Sequence, residues 1–192
     1  MTKKEIIWRH ILEQAITERL TKFTQKEIAA HFEISLSTVF NALKIPRKTH
    51  AIEVAGKFFR LRDFEKLLVI WATQRNFKKD IIYSTRVDLP VEKMEANQPH
   101  DIIFGAFSAY KFKYKDKPAD YGAVYVYAKD IKEIKKRFPP TRGYHNLFVL
   151  NADDYLAKFG NATPDTQTFV DLWNIKEWYA KDFLHALKQK IL

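Results

Sequence analysis

Two short helices joined by a tight turn constrain this chain more than any other feature of its sequence. In the stretch TQKEIAAHFEISLSTVFNALK, Thr24 and Glu27 form the T-x-x-E pattern of a capping box, which predicts that a short helix starts there. Ser35 is a favourable N-cap, so a second helix is predicted over residues 36–44. Because both helix starts are marked by caps, the two helices are separated by only a short connection.

The apolar residues of this stretch suit two helices packed against each other. Ala29 is a small residue where the helices would cross, and Ile34 supplies an apolar side chain in the turn. The second helix offers four apolar residues for packing: Val39, Phe40, Ala42 and Leu43. Two capped helices with this pattern are typical of a helix-turn-helix. The alternative is the same helix packing without any DNA binding.

The polar residues of the second helix are candidates for DNA contacts. In a helix-turn-helix the second helix enters the major groove, where hydroxyl and amide side chains can hydrogen-bond bases and phosphates. Asn41 pairs well with adenine, and Ser37 and Thr38 are the other candidates for base contacts. The polar residues predicted off the core face are Ser35, Ser37, Thr38, Asn41 and Lys44.

A basic hairpin is predicted after Pro46. The runs AIEV and FFRL are strand-like, and the AGK between them supplies Gly56 for a tight turn. A hairpin directly after the second helix predicts the winged form of the motif, whose wing contacts the DNA backbone or minor groove. The predicted wing residues are Arg47, Lys48, Lys57, Arg60 and Arg62. A solvated charged hairpin without a ligand is the alternative.

Positive charge is concentrated in the same part of the chain. The formal net charge is +10, and residues 1–62 hold 12 Lys and Arg against 6 Asp and Glu. Residues 44–62 contain six basic residues and one acid, Glu53. Such a cluster attracts phosphate backbones and makes binding depend on salt.

The pattern of elements predicts an α+β protein with two domains. We expect a winged helix-turn-helix over residues 1–62 and a connecting helix over residues 63–76, capped by Asp63. Strands and helices mix from residue 77 to 192, which predicts a second, α+β domain. The longest apolar runs are too short to span a bilayer and no secretory signal is recognisable, so we expect a cytoplasmic protein.

The downstream segments resemble one family in particular. IIFGAFSAY, ADYGAVYVYA, NLFVLNADDYL and TPDTQTFVDLWNIKEW are together similar to the C-terminal region of AbiEi-type antitoxins and transcription regulators. In that family a winged helix precedes an α+β domain, and a segment matched here by Asp171, Leu172, Trp173 and Asn174 precedes the last helix. The resemblance implies a DNA-binding autorepressor, partnered in some members with a nucleotidyltransferase toxin.

Catalytic patterns are weak, so we expect neither an enzyme nor a bound cofactor or metal. The chain has no Cys, which excludes disulfides and thiolate chemistry. A nucleotidyltransferase would need paired carboxylates for Mg²⁺, but the strand VYVYA carries none, and Asp153 and Asp154 would point to opposite faces of a strand. Nothing in the sequence brings Ser84, Ser108 and His145 together.

The leading hypothesis is therefore a sequence-specific regulator of transcription that binds double-stranded DNA, with an antitoxin role implied by the resemblance. Its partners would be duplex DNA, a cognate toxin protein and a second copy of the chain, whose contact surface we place around Trp178. One alternative is a protein-interaction module that binds a toxin or other partner through the second domain and nucleic acid only non-specifically. The other is RNA binding by the same basic surface.

Overall fold

The computed structural model describes all 192 residues and contains two compact units, Met1–Arg75 and Asn76–Ile191. The fold is mixed α+β, as the sequence predicts, and it contains nine α-helices and two β-sheets. None of the nine helices combines the length and the apolar character that crossing a membrane requires.

The first unit contains four helices and a three-stranded antiparallel sheet. Its helices are α1 (Lys3–Thr17), α2 (Gln25–His31), α3 (Leu36–Lys48) and α4 (Phe64–Gln74). Its strands are β1 (Lys22–Phe23), β2 (Ile52–Ala55) and β3 (Phe58–Leu61), in the order β1-β3-β2. Phe59 of β3 lies opposite both Phe23 and Val54, so the sheet is in register across all three strands.

The caps predicted for α2 and α3 are confirmed. The Thr24 hydroxyl accepts the Glu27 N–H at 3.1 Å, and the Glu27 carboxylate accepts the Thr24 N–H at 3.1 Å. Glu33, with φ of +52°, ends α2 in a left-handed conformation. The Ile34 N–H then returns to the Ala29 carbonyl at 3.0 Å, as in a Schellman motif. This turn sets the path from α2 into α3.

Helix α3 is longer than the sequence predicts, because it continues through Pro46 to Lys48. Proline lacks the N–H that would bond the carbonyl four residues earlier, which here belongs to Ala42. The Trp8 indole N–H donates to that carbonyl instead, at 2.9 Å, and Trp8 is fully buried. The prediction that Arg47 and Lys48 belong to the wing is therefore wrong, since both lie in the last turn of α3.

We expect Trp8→Phe to destabilise the first unit by about 1–3 kcal/mol, because the buried Ala42 carbonyl would lose its donor. Chemical denaturation followed by circular dichroism measures this loss. Trp178→Phe is the matched control, since Trp178 is 72% exposed and the same substitution there removes little burial. Equal losses in the two variants would show that the indole hydrogen bond does not support α3.

Helix α4, which lies within the connecting helix predicted over residues 63–76, belongs to the first unit. Asp63 caps it as predicted, and its buried face, with Leu67, Leu68 and Trp71, packs beside α1. Just after α4, Arg75 forms an ion pair with Glu5 of α1 at 3.0 Å, and both side chains are almost fully buried. The start of α1 and the end of α4 are thus joined inside the unit.

The second unit is built on a four-stranded sheet with the order β4-β7-β6-β5. Its strands are β4 (Ile81–Thr85), β5 (Ile103–Gly105), β6 (Val124–Ala128) and β7 (Leu147–Asn151). The central pair, β6 and β7, is parallel, and both outer pairs are antiparallel. Its helices are α5 (Val91–Ala96), α6 (Ala106–Tyr114), α7 (Lys132–Arg137), α8 (Asp165–Asn174) and α9 (Ala180–Ile191).

Helices cover both faces of this sheet. On one face, Val124 and Val126 of β6 join Met94 of α5 and Ile134 of α7 in an apolar cluster. On the other face, Tyr127 of β6 donates its hydroxyl to Asp171 of α8 at 2.7 Å. Alternate residues of the fully buried β6 therefore serve the two faces, which explains its continuous apolar sequence.

Candidate nucleic-acid interface

One face of α3 presents a strip of polar and basic side chains to solvent, which we call the polar strip. It consists of Ser37, Asn41, Lys44 and Lys48, all exposed. Their spacing of three or four residues places them on one side of the helix, over about 16 Å of its length. The opposite side, with Val39, Ala42, Leu43 and Pro46, is buried. The strip is thus the side of α3 that an external ligand can reach.

Two of the predicted contact residues near the start of α3 are held by local hydrogen bonds. The Ser35 hydroxyl accepts the Thr38 N–H at 3.2 Å, which confirms Ser35 as the N-cap. The same oxygen lies 2.9 Å from the Ser37 hydroxyl and 2.9 Å from the Thr38 hydroxyl. Thr38 is half-buried. Ser35 and Thr38 therefore fix the start of α3, while Ser37 lies on the exposed strip.

The C-terminal half of α3 is cationic. Lys44, Arg47 and Lys48 are exposed there, and the helix contains no acidic residue. None of the three cations takes part in an ion pair with a side chain of this protein. They line a groove of about 320 Å³ between α3 and β2, with His50 and Val54 on its other side. Their charges are thus available to an anion that lies along the groove.

The predicted wing residues are distributed over different faces of the hairpin. Gly56, with φ of +62°, and Lys57 form its two-residue turn, and Lys57 is exposed at the tip. Side chains alternate along β3, so Arg60 points away from the sheet face on which Phe59 is buried. Val54 lies opposite Phe59 and lines the groove, which places Arg60 on the other face from the groove.

Arg62, the last predicted wing residue, has a partner within the hairpin. Its guanidinium forms an ion pair with the Glu53 carboxylate, with one hydrogen bond at 2.6 Å from Nε. Arg60 lies 5.4 Å from the centroid of the Phe58 ring, and Lys22 Nζ lies 4.2 Å from the same ring. The structure therefore brings together Ser37, Asn41, Lys44, Arg47 and Lys48 on α3. Arg62 lines a groove beside β2 together with Arg47, whereas Arg60 lies apart from them.

Sequence reasoning missed two residues on the exposed side of α3. Phe40 was expected to pack in the core, but it is 47% exposed, and Leu36 is 54% exposed. Lys44 Nζ lies 5.5 Å from the centroid of the Phe40 ring. At about 100° per residue, Val39 and Leu43 define the buried side, and Phe40 falls outside it. A helical projection anchored on those two residues would have shown this.

The second unit contains a serine and a histidine in contact. Ser84 Oγ lies 2.8 Å from His145 Nδ1, a proximity the sequence does not indicate. That is the one hydrogen bond of His145, so no carboxylate orients its ring as in a hydrolase triad. Ser108 lies elsewhere and is fully buried, where it donates to Glu95 at 2.7 Å. Ser84, Ser108 and His145 do not converge on one site.

The second unit also exposes two large aromatic side chains. Trp178 is 72% exposed and Tyr144 is 74% exposed, and the Tyr144 hydroxyl donates to Glu177 at 3.2 Å. The charge of Glu177 and this hydrogen bond raise the pKa of Tyr144. Exposed aromatics of this size are typical of protein-binding surfaces.

In comparisons with protein-family models, curated proteins and solved structures, nothing matches this chain.

Proposed function

We propose that this protein is a sequence-specific regulator of transcription that binds double-stranded DNA through a winged helix-turn-helix within Met1–Arg75. The observation that carries the proposal is the exposed side of α3, with hydrogen-bonding residues in its first half, cations in its second half and no acid. The order of elements in the first unit, with a β-hairpin directly after α3, agrees with the winged motif.

The geometry suits the major groove. An α-helix about 10–12 Å across fits a groove about 12 Å wide, with its first residues closest to the bases. In this placement Ser37 and Asn41 reach base edges, while Lys44, Arg47 and Lys48 contact phosphates. Lys57, at the tip of the hairpin, lies where a wing contacts the backbone. Base contacts would supply specificity and phosphate contacts would supply affinity.

An autorepressor and antitoxin role is the further part of this proposal. It rests on the resemblance of the second half of the chain to AbiEi-type regulators, including Asp171–Asn174. In the structure these four residues form the end of α8, where Asp171 is fully buried and bonded to Tyr127. Asp171 thereby attaches α8 to the sheet. We place the protein in the cytoplasm.

We expect Asn41→Ala to weaken binding to the preferred duplex by about 1–3 kcal/mol, because one bidentate base contact is lost. Selection from a random duplex library by the wild-type protein supplies the preferred sequence, and fluorescence anisotropy measures the affinity. Binding to random duplex should change little. Asn161→Ala, at an exposed asparagine of the second unit, is the control.

Two results would contradict the proposal. If the library yields no preferred sequence at several salt concentrations, the protein does not read bases. If an RNA duplex competes as well as the selected DNA, recognition does not use the major groove, since that groove is too narrow for a helix in RNA.

A second candidate function is partner binding through the second unit, favoured by the exposure of Trp178 and Tyr144. The partner would be a second copy of the chain or a toxin protein. A dimer would also place two copies of α3 on successive turns of DNA, as paired half-sites require. Light scattering of the full chain, alone and with the product of a neighbouring gene, tests this function independently of DNA.

A further inference from the structure

Leu36 and Phe40 form an apolar strip on the exposed side of α3, one helical turn apart. They are 54% and 47% exposed, although α3 has a complete buried side of its own in Val39, Leu43 and Pro46. The fold gains little from two large apolar side chains in water. Together they give the exposed side of α3 a small apolar surface that a ligand can cover.

The position of this strip restricts what that ligand can be. Leu36 and Phe40 lie directly beside Ser37 and Asn41, in the half of α3 that is expected to reach base edges. Arg47 lies on the same side of α3 as Phe40, two helical turns further along. The apolar strip is thus part of the surface that carries the polar strip, and one ligand must cover both.

Charge favours a polyanion over an apolar protein surface, and under the proposed function that polyanion is duplex DNA. Helix α3 has three cations and no acid, and none of the three has an ion-pair partner within the protein. A polyanion with small apolar groups matches this combination. In the major groove the one apolar group that a base pair displays is the C5-methyl of thymine.

We propose that Leu36 and Phe40 contact thymine methyl groups, so that the recognised site carries a thymine opposite each of them. This inference rests on the proposed DNA-binding function and adds a specificity that the polar strip does not supply. Asn41 would select adenine by hydrogen bonds, whereas Phe40 and Leu36 would select thymine by burial of its methyl group.

Replacement of thymine by deoxyuridine tests the proposal, because it removes the methyl group and keeps the base pair. In the selected duplex, each thymine is replaced in turn and wild-type affinity is measured. We expect about a three- to fivefold loss at the thymine facing Phe40 and at the one facing Leu36, the value of burying one methyl group.

The protein variants then assign each thymine to a side chain. Phe40→Ala should have the same affinity for the duplex with thymine and the duplex with uracil at the position that faces Phe40. Leu36→Ala should have the same affinity for the two duplexes at the position that faces Leu36. Leu20→Ala, at a residue 41% exposed outside the helices, should keep the wild-type ratio at every position. Circular dichroism establishes that the variants remain folded.

The outcomes separate this inference from the function on which it rests. If a preferred duplex is selected but no thymine methyl affects binding, the inference is wrong and the DNA-binding function stands. The inference is also wrong if Phe40→Ala weakens binding to the thymine duplex and to the uracil duplex by the same factor, since Phe40 would then contact the sugar and not the methyl group. If no duplex is preferred, both fail.

Discussion

Duplex DNA is expected to bind about a hundredfold more weakly, at about 0.15 M salt, to a variant with Lys44, Arg47 and Lys48 all replaced by glutamine. The plot of log affinity against log salt falls with a slope of about −0.9 for each phosphate contact. The loss of three contacts should therefore make the slope less steep by about three. Gln keeps much of the side-chain length and packing. Anisotropy titrations at several salt concentrations give both the affinity and the slope.

A matched variant separates contact from net charge. Lys93, Lys136 and Lys181 are exposed lysines of the second unit, and their replacement by glutamine removes the same number of charges. This control should bind DNA with nearly the wild-type affinity and an unchanged salt slope. If the two triple variants lose affinity equally, the cations of α3 do not contact the backbone, and the DNA would be held by the overall charge of the protein.

Local signals account for the parts of the first unit that the sequence predicts well. The starts of α2, α3 and α4 depend on Thr24, Ser35 and Asp63, each of which bonds a backbone N–H three residues later. Such caps act over one turn of helix and need no information from elsewhere in the chain. Gly56 marks the hairpin turn for the same reason, since its positive φ is a local requirement.

Contacts between residues far apart in the sequence account for the parts of the first unit that the sequence does not predict. Pro46 normally ends a helix, and α3 passes through it because Trp8, far away in sequence, bonds the Ala42 carbonyl. The partner of Arg62 is likewise set by the hairpin register, which brings Glu53 beside it. The sequence around Pro46 does not differ from that of a proline that ends a helix. The sequence around Arg62 does not differ from that of an arginine without an ion-pair partner.

In the candidate interface, too, local sequence predicts some features and distant contacts determine others. Helical periodicity places Ser37, Asn41 and Lys44 on one side of α3 from the sequence alone. The same periodicity, anchored on Val39 and Leu43, places Phe40 outside the buried side. The exposure of Leu36 could not be judged in this way, because an apolar residue at the edge of the buried side is covered or exposed according to what packs there. In the second unit, the parallel pairing of β6 and β7 joins strands separated by α7, which no local pattern specifies.

We expect Glu5→Gln to destabilise the protein by about 3–5 kcal/mol at neutral pH, since it removes one partner of a buried ion pair. Arg75 is fully buried and Glu5 nearly so, and their side chains are 3.0 Å apart. The other carboxylate oxygen accepts the N–H and hydroxyl of Thr2, at 2.8 and 2.7 Å. The variant would remove the Glu5 anion from the side of the buried Arg75 charge. Glu18→Gln, at an exposed glutamate at the end of α1, is the control and should cost little.

The pH dependence of this loss distinguishes the ion pair from simple packing. Burial by itself raises the pKa of Glu5, but the Arg75 charge and the hydrogen bonds from Thr2 and Arg75 outweigh it and lower the pKa below its ordinary value of 4.5. A carboxyl with a lowered pKa stabilises the folded state above about pH 4.5, and this contribution disappears as the pH falls through the folded-state pKa. The difference in unfolding free energy between wild type and Glu5→Gln should therefore be largest near pH 7 and shrink below pH 4.5. A difference that stays constant from pH 7 to pH 3 would mean that the Glu5 side chain stabilises the junction of α1 and α4 by its shape and not by its charge.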